Sequence, residues 1–205
     1  MSGHVAGLSI PGSMIYFKLP DSSDVHRVLR ATLLCSSFVL DPTMSVAENI
    51  ARVRERMDRA ARGAGRNPEE ITLMAVSKTF PPQPIREAYE AGLRVFGENR
   101  VQEFTGKSDA LRDLAGVEWH LIGHLQSNKA NKAAELFSAV DSIDSVKLAE
   151  KLNAAAERLG KTLSVLIEVN VGGEEAKNGI DPRSHELDAI LESAPQFHTS
   201  TSGAS

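Results

Sequence analysis

Lys78 follows an apolar run at 71–76, and two prolines close the segment ITLMAVSKTFPP shortly after it. Side chains alternate across an extended strand, so Met74, Val76 and Lys78 share one side. If that side faces the interior, the Lys78 amine is the last inward group of the strand. Partial burial disfavours the ammonium form of a lysine and leaves an amine that attacks carbonyl carbon. This is the geometry that a Schiff-base lysine needs, but the strand taken alone favours the alternative, a lysine that reaches solvent with a carboxylate nearby. The other motifs of the chain change that balance.

Asparagines follow two further apolar runs. Asn99, in FGENRVQE, can donate and accept hydrogen bonds at a strand end, and Glu98 beside it can accept from a cation. The alternative for Asn99 is a cap on the helix that follows. Asn170, in IEVNVGGEEAKNG, precedes a glycine-containing loop that could close over a ligand. Both positions predict polar contacts with a ligand at the ends of strands.

The segment WHLIGHLQSNK contains His120 and His124, separated by three residues. This spacing could indicate metal ligands, but the first histidine falls in a strand and the second in a loop. No third ligand is spaced to match, so a metal site is disfavoured. His120 or Ile122, facing the interior, would instead lie against a flat ring.

Apolar runs and amphipathic helical patterns alternate along the chain. Strand starts recur about every 20–25 residues, which is the size of one strand-plus-helix unit. The pattern is typical of a parallel sheet covered by helices, arranged either as a doubly wound open sheet or as a (β/α) barrel. Barrel strands converge at one mouth, where active sites lie, so polar residues at several strand ends favour the barrel.

Composition narrows the class of protein. The formal net charge is -4, 41% of the residues are hydrophobic and 24% are charged, which predicts a soluble globular protein. Without a basic stripe, and with 5% aromatic residues, nucleic acid is not an expected partner. No segment of the sequence is long and apolar enough to predict a membrane span, so a membrane is not an expected partner either. A single cysteine excludes an internal disulfide and suits a cytoplasmic location.

Three segments of the chain differ in composition and in hydrophobic periodicity. Residues 1–43 have no helical or strand period, so we expect a poorly ordered extension. Residues 44–194 form the predicted barrel domain, which begins with a helix capped by Ser45 and Glu48. Residues 195–205 are small and polar, which predicts a disordered tail. A second helix, VKLAEKLNAAAERLG, is expected to bury one face, formed by Leu148, Leu152, Ala155, Ala156 and Leu159.

Four motifs together carry a resemblance: AVSKT, FGENRVQE, WHLIGHLQSNK and EVNVGGEEAKNG. In this order and spacing, they resemble the pyridoxal phosphate homeostasis proteins, single-domain relatives of the alanine racemase N-terminal barrel. The resemblance covers about residues 44–182. It implies a (β/α)8 TIM-barrel fold and a covalent aldimine between pyridoxal phosphate and Lys78. It also implies cofactor contacts from Asn99, His120, Ile122 and Asn170.

The same resemblance implies a protein without catalytic turnover that holds pyridoxal phosphate, hands it to apo enzymes and keeps the free aldehyde low. Racemisation would need an acid/base group on the opposite face of the ring. Neither Tyr16 nor Tyr89 is well placed for that role, since one lies in the extension and the other in a helical pattern. No sequence feature determines an oligomeric state, and the expectation is a monomer.

The chain departs from the family near its end. We count five strands rather than eight, and the family's last three strands carry the segments that bind the phosphate. The sequence therefore predicts a C-terminally truncated, incomplete barrel. Two alternatives remain open: a racemase or decarboxylase of the same barrel type, and a truncated fragment that binds no cofactor.

Overall fold

The computed structural model describes residues 4–10, 13–19, 44–170, 179–193 and 199–201. The chain forms two compact units: unit 1 contains residues 1–96, 110–117 and 203–205, and unit 2 contains 97–109 and 118–202. The helices are α1 (Val46–Gly63), α2 (Pro82–Glu90), α3 (Val101–Ser108), α4 (Ala130–Leu136), α5 (Val146–Arg158) and α6 (His185–Ser193). The strands are β1 (His4–Ile10), β2 (Ser13–Leu19), β3 (Thr72–Val76), β4 (Val95–Glu98), β5 (Glu118–Leu121), β6 (Ala139–Ile143), β7 (Leu163–Ile167) and β8 (Thr199–Thr201).

In unit 1, β1, β2, β3 and the first half of β4 lie side by side in that order. The β1–β2 and β2–β3 pairs are antiparallel. Helix α1 begins with the predicted capping box, in which the Ser45 hydroxyl accepts from the Glu48 N–H and the Glu48 carboxylate accepts from the Ser45 N–H. That prediction is confirmed. Arg54 of this helix donates to the carbonyls of Ala91 and Gly92, which joins α1 to the end of α2.

In unit 2, the second half of β4 and strands β5 to β8 lie side by side in chain order. The β5–β6, β6–β7 and β7–β8 pairs are parallel. Helix α5 buries four of the five residues predicted for its apolar face, whereas Leu159 is 47% exposed. The expectation for Leu159 was wrong because the helix ends before it, and Leu159 occupies the C-cap.

An aromatic cluster joins α3 to β5 and to Phe137, the C-cap of α4. The ring centroids of Phe104 and Trp119 are 4.5 Å apart, and those of Phe104 and Phe137 are 5.0 Å apart. Both pairs are tilted, an arrangement that aromatic rings favour over face-to-face stacking. Because Trp119 faces this cluster, its strand neighbour His120 faces the opposite side of the sheet.

Three of the strands lie where the sequence predicts none. Strands β1 and β2 fall within 1–43, and β8 falls within 195–205. Strand β2 lies between β1 and β3, and β8 pairs with β7, so pairing with neighbouring strands rather than a local sequence pattern explains these extended segments. Other parts of these two segments lie outside the described residues, and the division of the chain at 43 and 194 stays a prediction.

Within the described ranges, no group of three or more His, Cys, Asp or Glu residues is arranged to hold a metal ion. No helix in this part of the chain is both long enough and apolar enough to cross a membrane.

A buried ion pair joins the end of β4 to α3. The Lys107 Nζ lies 2.9 Å from the Glu98 Oε1, and the two side chains are 8% and 0% exposed. Glu98 thus accepts from a cation, as the sequence suggested. The desolvation of both charges makes the net stability of such a pair small, but loss of one partner leaves the other buried without compensation.

We therefore expect Lys107→Met to lower the free energy of unfolding by about 3–5 kcal/mol, measured by urea denaturation. The matched control is Lys132→Met, because the Lys132–Glu135 pair is about half exposed on both sides. That control should change stability by less than about 1 kcal/mol. Combining Lys107→Met with Glu98→Leu should recover most of the loss. If Lys107→Met lowered the free energy of unfolding by less than Lys132→Met, the buried pair would not be the main constraint on β4.

Candidate functional site

Lys78 lies in unit 1, in a tight turn directly after β3. The Phe80 N–H donates to the Ser77 carbonyl at 3.2 Å, which closes a four-residue turn with Lys78 at its second position. Ser77 is buried and Lys78 is half-buried. Among the described residues, the Lys78 amine has no carboxylate partner. Lys78 is thus half-buried at the end of the strand, and its assignment as a Schiff-base lysine stays a prediction.

Thr79, the third residue of this turn, adopts a left-handed conformation with φ of 65°. A type II turn requires a positive φ at this position, and glycine or asparagine normally provides it. For a β-branched residue the conformation is strained by roughly 1–3 kcal/mol. The strain is tolerated directly beside Lys78, and such strain is concentrated at ligand-binding positions in proteins generally.

Backbone contacts join the ends of β4, β5 and β6 in unit 2. The Ile122 N–H donates to the Glu98 carbonyl at 2.9 Å. A Cβ added to Gly123 would lie 2.4 Å from the Asn99 carbonyl oxygen, so only glycine allows this close approach. The Ser142 hydroxyl donates to the Gly123 carbonyl at 2.8 Å. Two predicted site residues, Asn99 and Ile122, are therefore held at adjoining strand ends.

Asn99 does not cap the following helix. Helix α3 begins at Val101, and its N-cap is Arg100 rather than Asn99. The alternative raised for Asn99 is thus wrong. Its half-buried side chain lies between the end of the strand and the start of the helix.

Both ring nitrogens of His120 lie near carboxylates. Its Nδ1 lies 2.9 Å from the Asp141 Oδ2, and its Nε2 lies 3.8 Å from Glu118. His120 and Asp141 are both largely buried, on the face of the sheet opposite the aromatic cluster. The sequence analysis did not find Asp141, because that residue lies 21 positions away on a neighbouring strand. The predicted contact of His120 with a flat ring stays a prediction.

Asn170 marks one end of the glycine-containing loop. Its N–H donates to the Ile180 carbonyl at 2.9 Å, and the Ile180 N–H donates to the Glu168 carbonyl at 2.7 Å. Gly179, with φ of 110°, lies against the Asn170 nitrogen. These contacts bring the two ends of the loop together. Residues 171–178 lie outside the described residues.

Sequence reasoning missed a cluster of titratable groups after β5, β6 and β7. The His124 Nδ1 lies 2.9 Å from the Asp144 Oδ2. Burial raises the pKa of Glu168, and the charge on Asp144 raises this pKa further, whereas His124 opposes both effects. Each of the three residues lies just past the end of a strand, and that shared position was the signal available in the sequence.

Comparison with known proteins decides the family. The model of the family described as "Alanine racemase, N-terminal domain" matches residues 45–200. The chain belongs to this family. Two curated relatives are named pyridoxal phosphate homeostasis protein. The one from Pseudomonas aeruginosa is 45% identical over 153 residues, 75% of this chain and 65% of the relative. The one from Aquifex aeolicus is 45% identical over 141 residues, 69% of this chain and 61% of the relative.

Two solved structures are similar to this member of the family. PipY from Synechococcus elongatus PCC7942, solved with PLP bound, has a TM-score of 0.64 and 39% identity, covering 77% of this chain and 68% of its own. A protein from Bifidobacterium adolescentis has a TM-score of 0.70 and 33% identity, covering 81% and 71%. The predicted resemblance and fold class are confirmed: parallel strands alternate with helices as in the first part of a (β/α)8 barrel. The five predicted site residues stay predictions.

The Gly123 contact predicts a large effect of a single methyl group. Gly123→Ala should lower the free energy of unfolding by at least about 1–3 kcal/mol in urea denaturation, because the Asn99 backbone cannot move aside as a side chain could. The control is Gly106→Ala in α3, where an added Cβ meets nothing within 4 Å. That variant should gain roughly 0.5–1 kcal/mol from helix propensity. Equal effects at the two glycines would contradict the close approach.

The raised pKa of Glu168 predicts a dependence of stability on pH. The native state holds this proton more tightly than the unfolded chain, so the contribution is present below the ordinary pKa of 4.5 and lost as pH rises through the folded value. Glu168→Gln has no titrating proton at this position, so it removes the loss of stability that accompanies the ionisation of Glu168. Urea denaturation between pH 4 and pH 7 should show the variant gaining stability relative to the wild type as pH rises. If the stability of the variant relative to the wild type fell as pH rose, the raised pKa of Glu168 would be contradicted.

Proposed function

We propose that this chain binds pyridoxal phosphate covalently through Lys78 and serves the intracellular homeostasis of that cofactor. The observation that carries the proposal is the Lys78 amine, half-buried in a strained turn after β3. The PLP-bound relative, at 39% identity, supports the same cofactor for this chain. The chain spans less than two thirds of the length of the first curated relatives, so the activity of the whole protein is part of the proposal.

The residues present suit this cofactor. An aldehyde requires a primary amine that is not engaged by a carboxylate, and Lys78 meets that requirement among the described residues. A flat pyridine ring also needs polar partners, and the half-buried Asn99 side chain at the end of β4 can provide one. When bound, pyridoxal phosphate would supply a reactive aldehyde; the chain supplies its attachment and orientation.

We assign the remaining contacts from the family resemblance. Asn99 and Asn170 supply amide hydrogen bonds, Ile122 supplies an apolar surface, and His120 lies against the ring. The Asp141 carboxylate holds the imidazole of His120 in place at 2.9 Å. This last contact fixes the orientation of His120 without adding a group that reacts.

The proposed role involves no turnover. Tyr89, one of the two tyrosines considered for acid/base chemistry, donates its hydroxyl to the Ala115 carbonyl at 3.1 Å. We propose pyridoxal phosphate itself and the apo enzymes that receive it as partners, with the chain acting as a cytoplasmic monomer. Loaded protein should not scramble the stereochemistry of alanine faster than free pyridoxal phosphate does, measured by chiral chromatography.

Attachment to Lys78 is tested directly. Wild-type protein mixed with pyridoxal phosphate should gain a visible absorption band, and borohydride should fix the cofactor on residue 78, as read by peptide mass spectrometry. Lys78→Ala should lose both signals. Lys132→Ala, at a half-exposed lysine already paired with Glu135, should keep both. Retention of the band by Lys78→Ala would remove the assignment.

A further inference from the structure

One side of helix α5 carries a row of positive charges. Lys147, Lys151 and Arg158 follow one another at intervals of four and seven residues, so their side chains lie along the same side of the helix. All three are exposed, and we call them the cationic row. Helices α4 and α5 pack side by side within unit 2, and two members of the row reach across to the α4 segment.

Neutral oxygen atoms hold these two cations. The Lys151 Nζ donates to the Ser127 hydroxyl at 3.4 Å. The Arg158 Nη2 donates to the Asn131 Oδ1. No member of the row forms an ion pair with a carboxylate of the described residues, although the chain has 27 acidic residues against 23 lysines and arginines. Ammonium and guanidinium groups have more donors than these contacts use, so the row can still bind an anionic group.

Lys161 extends the positive charge beyond the end of α5. Its Nζ donates to the carbonyl of Phe137, the C-cap of α4, at 2.8 Å. Burial lowers the pKa of Lys161, and no carboxylate of the described residues opposes this effect. A positive charge in such surroundings is stabilised when an anion approaches it.

The charges beside the cationic row favour a protein partner over a nucleic acid. Glu150 and Glu157, seven residues apart on the same helix, are both exposed and form a negative row next to the positive one. These carboxylates would repel a phosphate backbone, whereas a protein surface can present charges of both signs. Helices α4 and α5 also contain no aromatic residue on which a base could stack.

We propose that the cationic row is a docking surface for an acidic helix of another protein. Lys147 and Lys151 lie one helical turn apart, which matches two acidic side chains four residues apart on a partner helix. The inference goes beyond the proposed function, because neither the surface nor its test involves the cofactor. Electrostatic complementarity of this kind mainly accelerates association and sets the orientation of the partner, and salt weakens it.

Fluorescence anisotropy at low ionic strength, on the full chain without cofactor, tests this surface. The probe is a fluorescein-labelled, alanine-based helical peptide with glutamate at every fourth position, and its control peptide has lysine at those positions. Wild-type protein should bind the glutamate peptide alone. Lys147→Glu combined with Lys151→Glu should weaken that binding by at least roughly tenfold. The matched control, Arg59→Glu combined with Arg62→Glu at exposed positions of α1, should stay within about twofold of the wild type.

The charge-reversed α5 variant should also gain affinity for the lysine peptide, which an unfolded variant would not do. A wild type that does not bind the glutamate peptide, equal losses in the two double variants, or no gain for the lysine peptide would overturn the docking surface. Tighter binding of single-stranded DNA of the same charge would overturn the choice of a protein partner. Salt-sensitive self-association of the chain, abolished by the α5 reversal, would identify a second copy as the occupant and overturn that choice too. The absorption band tested at Lys78 is measured separately, so none of these outcomes decides the proposed function.

Discussion

The contact between Gly123 and the Asn99 backbone is the constraint on which the strand ends of unit 2 depend. These two backbone segments approach so closely that there is no room for a methyl group on Gly123. The residue before Asn99 is held from two sides, because the Glu98 carbonyl binds Ile122 and the Glu98 side chain is buried against Lys107. The end of β4 therefore has one position relative to β5. Side chains at this strand end are attached to backbone of fixed position, and a binding site built there is correspondingly well defined.

The β6 strand extends this constraint and introduces an irregularity. Its pairing with β7 shifts between Val140 and Ile143, so one extra residue is accommodated on β6. Bulges of this kind redirect side chains and are common beside functional sites. Ser142, inside the bulge, reaches back to Gly123, and Asp141, also inside it, reaches His120. One irregularity thus serves both the backbone contact and the buried histidine.

Two histidine–aspartate pairs, one within β5 and β6 and the other just past the ends of these strands, differ in burial. His120 and His124 each contact an aspartate at 2.9 Å. The side chains of His120 and Asp141 are 11% and 9% exposed, whereas those of His124 and Asp144 are 42% and 18% exposed. Two pairs of the same residue types at the same separation therefore differ in their access to solvent.

The sequence by itself determined the alternation of strands and helices, the capped start of α1, the lysine after β3 and the family. These are local features: periodicity, capping chemistry and motifs are written in neighbouring residues. The tertiary structure alone decided the partners, namely Lys107 for Glu98, Asp141 for His120 and Asp144 for His124. It also decided that Thr79 takes a left-handed conformation that its side chain disfavours. Such pairings depend on strand register and helix packing, which contacts between distant parts of the chain establish, and no local pattern encodes them.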